Sequence, residues 1–130
     1  MAVTHSTAAR NAATDAVTGL ISTSGKLVFR ISPSTVAAPG TAVATLSLSA
    51  TAFGASATGT ATANAITSDT NATGNASAVA FATLQTSAAV IVIQCAVAAS
   101  GSDINMTNGL TVAAGDTVGC SSLTYTALSA

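Results

Sequence analysis

Lys26-Leu27-Val28-Phe29-Arg30-Ile31 is the turning point of the sequence. Leu27, Phe29 and Ile31 fall on one side of a period-two pattern and Lys26, Val28 and Arg30 on the other, as in a strand with one face turned to a core. Gly25 precedes this run and Pro33 closes it. Upstream the period is helical: Ala9, Ala13, Ala16, Val17 and Leu20 share one face of a helix predicted over residues 6–21. Ser6 or Thr7 caps it by accepting a bond from an unpaired backbone N–H. Because that face consists mostly of methyl groups, the helix must dock on its own body or on a neighbour to persist. The chain therefore divides into an N-terminal arm or helix over 1–24 and a β-domain over 25–130.

Downstream the alternation continues. Ala42 to Ser49 turns Leu46 and Leu48 inward and Thr45, Ser47 and Ser49 outward. Thr58 to Thr67 is a weaker strand containing Ile66. After the loop SDTNATGN, dense in turn formers, Ala76 to Gln85 sets Val79 and Phe81 against small residues. Ala89 to Val97 is nearly continuous in apolar residues and predicts a strand covered on both faces. Gly101, Asp103, Asn108, Gly109, Gly115 and Asp116 then separate short strands around Ile104 to Thr107, Leu110 to Ala113 and Thr117 to Thr126. Short strands with such punctuation predict an all-β fold, a β-sandwich or jelly roll of about six to eight strands behind one N-terminal helix.

Composition narrows function. Thirty-one Ala, 22 Thr and 16 Ser make up over half of the 130 residues, whereas Lys and Arg number three, Asp four, and Glu and Trp are missing. A net charge of -1 leaves no basic patch for nucleic acid. The longest apolar stretch, Ala88 to Ala99, is too short for a membrane-spanning helix and contains Gln94. Extended back to Ala76 it reaches membrane length, but no Lys or Arg flanks it to set an orientation. The N-terminus lacks the basic-then-apolar order of a secretory leader.

Chemical motifs are equally sparse. His5 is the only histidine and sits at a terminus, away from any rigid nucleophile. Cys95 and Cys120 lack the close spacing of a zinc site and read by default as a free pair, Cys95 as a small buried hydrophobe, with a disulfide between their two strands as the alternative. Asp69-Thr70-Asn71-Ala72-Thr73-Gly74 copies the opening of a calcium loop, but Ala80 stands where the bidentate Glu is required. A turn held by Asp and Asn side chains explains that segment better. Phe29, Phe53, Phe81 and Tyr125 are too dispersed for a base-stacking platform or an aromatic sugar groove. The residues predict a non-enzymatic chain with no cofactor, metal or small-molecule substrate.

The opening MAVTHSTAARNAATDAVTGLI, with TLSLSATAFG, ATANAITSDT and the closing AAGDTV and SSLTYTA, resembles small structural proteins of tailed bacteriophages. The resemblance implies a head decoration, or cement, protein on the outer surface of a phage capsid, with the major capsid protein and its own copies, as a trimer, for partners. A head-fibre or tail adhesion module is the alternative, and a secreted surface β-module the next. No charged residue occurs from Ile31 through Ser68 or from Thr70 through Ser102. Uncharged sheet surfaces are thus expected to pack on copies or a shell, with residues 1–21 as the tether. The candidate capsid or subunit contacts are His5, Arg10, Val17, Leu20, Lys26 and Arg30.

Overall fold

The computed structural model describes residues 3–130; Met1 and Ala2, at the head of the expected arm, lie outside them. One helix, α1 (Thr7–Ile21), precedes eight strands: β1 (Lys26–Ile31), β2 (Ala42–Leu48), β3 (Thr60–Thr62), β4 (Ile66–Thr67), β5 (Val79–Gln85), β6 (Ile91–Ala98), β7 (Ile104–Asn105) and β8 (Thr124–Thr126). The fold is all-β with an N-terminal helix. Ser6 caps α1, its hydroxyl accepting from the Ala9 N–H at 3.2 Å. Among the described residues no helix is long and apolar enough to cross a membrane.

Six strands form a curled mixed sheet in the order β4-β2-β1-β5-β6-β7, antiparallel except for β6 beside β7. The Lys26–Ile31 run therefore becomes a central strand. Its inward residues create two rows across the sheet, Leu46-Leu27-Leu84-Ile93 and Ala44-Phe29-Ala82-Cys95. In the second row one ring stands between the small side chains of Ala44 and Ala82, and Phe29 is 2% exposed. Gly25 sits where α1 turns into β1. A Cβ there would stand 2.5 Å from the Ile21 carbonyl oxygen and 2.8 Å from that of Gln85, so only glycine fits.

The second layer is where the sandwich expectation changes. β3 and β8 pair as a separate two-stranded sheet. The pairing then continues as single bonds: Ala63 N to Leu123 O, the Asp69–Val118 bridge, Ala72 N to Asp116 O, Asn75 N to Val112 O and Val79 N to Leu110 O. Residues 60–79 and 110–126 thus run antiparallel as one interrupted ribbon. Phe53, Ala61, Ala72, Val112 and Val118 join the inner face of the large sheet in one core.

Several expectations are corrected here. The strand over Thr58 to Thr67 is two strands in two different sheets, β3 and β4. Leu110 to Ala113 forms no regular strand, and Thr117 to Thr126 contributes only the bridge at Val118 and β8. Turn chemistry breaks both: the Asp116 carboxylate accepts from Ala113 N at 2.9 Å and closes a tight turn at Gly115. β6 is not covered on both faces, since only Val97 of its eight residues is buried. It lies next to the sheet edge, where two-residue β7 and the Asp103 carboxylate, accepting from Ala96 N at 3.0 Å, shield part of its backbone.

Candidate functional site

The helix docks on its own body through a different stripe from the one the methyl pattern marked. Ala9, Ala16 and Leu20 are exposed and Ala13 and Val17 half-buried, while Thr14, Thr18 and Ile21 are buried. The face is rotated because hydroxyls find partners that methyls cannot. The Thr14 hydroxyl donates to Gly59 O at 2.6 Å and accepts from Ala127 N at 3.1 Å. Asn11 accepts from Gly59 N at 2.7 Å, and Asp15 from Ser56 N at 2.9 Å. Arg10 donates to Ser129 O at 3.4 Å, its Nε buried without a partner among the described residues, and His5 Nδ1 lies 2.7 Å from Ala130 O. Residues 7–21 are therefore a docked helix rather than a free arm, with Leu20 at 62% exposure facing outward.

Lys26 and Arg30 share the outer face of the sheet, as the alternation requires. Lys26 donates to the Ser47 hydroxyl at 2.9 Å. Arg30 forks to three neutral acceptors: Nε to the Thr83 hydroxyl at 3.0 Å, one terminal nitrogen to Gly40 O at 2.8 Å, the other to Gln85 Oε1 at 3.1 Å. Burial pulls its pKa below the ordinary value. The loop after β1 folds back over this face and is pinned by Ser34, which donates to Gln94 Oε1 at 2.8 Å and accepts from Gly40 N at 3.0 Å. Gln94 Nε2 returns a bond to Ser34 O at 2.9 Å. On this same face Val28, Thr83 and Gln85, which a sheet open to water on this side would leave wet, are buried. At the loop's tip Pro33, Val36, Ala37, Ala38 and Pro39 remain exposed, Val36 at 54%.

On the opposite side an open cleft of about 530 Å³ lies between the loops around β7 and the ribbon. Phe29, Ile104, Met106 and Val118 give it apolar lining, and Asp103, Asn105, Asn108 and Asp116 its polar groups. Cys95 and Cys120 are both free. Burial pushes the Cys95 thiol up to about 11, the Asp103 charge adding in the same direction, and burial raises Cys120 as well. In the calcium-like segment both Asp69 oxygens are committed to backbone, one to Asn71 N at 3.0 Å and one to Thr45 N at 2.9 Å. Among the described residues no three His, Cys, Asp or Glu side chains converge.

Pattern reading placed Lys26 and Arg30 on one face, but missed Asn11, Thr14, Ser34, Gln85 and Gln94. A signal existed for Thr83 and Gln85, polar residues alternating with Ala82 and Leu84 in a strand destined for the centre of a sheet. Compared with protein-family models, curated proteins and solved structures, the chain matches none.

Proposed function

We propose that this chain is a non-enzymatic virion structural protein, a decoration protein that binds the outside of a phage head as a homotrimer against the major capsid protein. The observation that carries the reading is the pinned loop over the outer sheet face. Bonds from Arg30 to Gly40 and between Ser34, Gly40 and Gln94 hold residues 33–40 in place, and the tip they hold is uncharged and mostly apolar. A rigid, preordered contact loses little entropy on binding, and weak contacts repeated over a lattice accumulate through multivalency. The hydroxyl- and methyl-covered surface suits a protein crowded at high local concentration, since it exposes few large apolar groups. The reading also draws on the resemblance of the opening MAVTHSTAARNAATDAVTGLI and the later segments to phage structural proteins.

Mixing the purified chain with undecorated tailed phage particles and imaging them tests this reading. Density on the outer shell that is lost with Val36→Asp, and retained with Leu20→Ser, is expected. Particles that stay bare at saturating protein overturn it. Density on the tail instead favours the second reading, an adhesion module, for which the open cleft is the supporting feature.

A further inference from the structure

The polar groups of this molecule fall into two kinds. On the outer sheet face Arg30, Ser34, Thr83, Gln85 and Gln94 bond to one another or to nearby backbone. Around the cleft each carboxylate has one oxygen fixed and the other free. Asp103 Oδ2 accepts from Ala96 N at 3.0 Å and Asp116 Oδ2 from Ala113 N at 2.9 Å, while neither Oδ1 has a partner among the described residues. Asn105 repeats the pattern: its Oδ1 accepts from Ser102 N at 3.0 Å, and its Nδ2 donates to none of the described residues. Two carboxylates and an amide, each oriented by one backbone bond, thereby line a space of about 530 Å³.

From this we infer that the cleft between the β7 loops and the 110–124 ribbon is a binding site for a neutral saccharide, one or two hexose units in size. The volume falls in the range of about 300–1,000 Å³ common to small-ligand sites. Carboxylate oxygens accept from adjacent hydroxyls, amide N–H groups donate to ring and hydroxyl oxygens, and the apolar lining meets the C–H face of the ring. Two carboxylates without a facing cation disfavour an anionic ligand, because Arg10, Lys26 and Arg30 bond on other faces of the molecule. The dispersed aromatic rings explain why composition gave no hint of such a groove: recognition here draws on loop carboxylates and amides, with Phe29 the one ring lining the cleft. Affinity for a single site is accordingly weak and gains strength when many copies are displayed. The inference does not rest on the virion reading and holds wherever the chain is displayed.

Amide chemical-shift titration of the full chain tests it, with glucose, galactose, mannose, N-acetylglucosamine and the β-linked disaccharides cellobiose and lactose as probes and glucuronate as the anionic control. Saturable shifts confined to residues 103–109 and 116–124 are expected from at least one neutral probe, and glucuronate is expected to bind more weakly than glucose. The paired substitutions Asp103→Asn and Asp116→Asn keep an acceptor for Ala96 N and Ala113 N while removing the charge. They are expected to weaken binding about tenfold, with unchanged thermal unfolding as the sign that the loops are intact. Absence of saturable shifts from every neutral probe overturns the inference, as does binding that the paired substitutions leave unaltered. Capsid binding by the same variant distinguishes the two readings, since loss of sugar binding is expected to leave shell attachment in place.

Discussion

Replacing Thr14 by Val is the sharpest test of how the helix is held. The two side chains have nearly the same shape, so the substitution removes a hydroxyl without opening a cavity. In the native protein that hydroxyl is fully buried and serves two backbone groups far away in sequence, Gly59 O and Ala127 N. Val leaves both unpaired. A buried polar group stripped of its partner costs about 1–3 kcal/mol, and Ala127 is half-buried, so the total is set at about 3 kcal/mol. For a chain of this size each kcal/mol moves the melting temperature by about 4 °C. Thr14→Val is therefore expected to melt about 12 °C lower, with faster amide exchange at Ala127. Thr14→Ser retains both bonds and loses one methyl, for a cost of about 1 kcal/mol. Thermal and urea unfolding followed by circular dichroism measures both variants. If Val proves as stable as Ser, the helix is held by its apolar contacts and the argument from the hydroxyl is wrong.

Three further outcomes follow from the packing. Gly25→Ala places a methyl against two backbone carbonyl oxygens and is expected to cost about 3 kcal/mol or more, read as a collapse of the urea midpoint. Arg30→Met removes the donor to Thr83, Gly40 and Gln85 and is expected to destabilise by about 2–3 kcal/mol, with Arg30→Lys in between because an ammonium reaches fewer of the three forked acceptors; a Met variant that melts like the parent refutes the bracing role. For Cys95, the folded thiol titrates at about 11, above its value in the unfolded chain, so the unfolded state loses its proton first. Stability is expected to fall as pH rises from about 9 toward 11, and the difference between the parent and Cys95→Ala in melts across that interval isolates the contribution.

Much of the strand pattern was legible in local alternation. Leu27 and Phe29, and Leu46 and Leu48, point where period two sends them, and Ser6 caps where a short hydroxyl before an Ala-rich run belongs. The ribbon of residues 60–79 and 110–126 was legible only in part, because its bonds connect turn-forming residues at irregular intervals. The cleft was invisible, since Asp103 and Asp116 stand apart in sequence and become neighbours of one space only when the β7 loops and the ribbon are folded together.

By itself the sequence determined which residues alternate, where helix gives way to strand, and that a surface with seven charges must be built of hydroxyls and methyls. These are consequences of local geometry and composition. Only the tertiary structure decided that Thr14 and Thr18 rather than the alanine stripe face the body, that the most apolar strand lies beside an edge, and that a loop covers the far side of the sheet. The reason is physical: a hydroxyl or amide is worth burying only where an acceptor or donor waits, and for the Thr14 hydroxyl and the Ser34–Gln94 bond those partners come from 45 to 113 residues away.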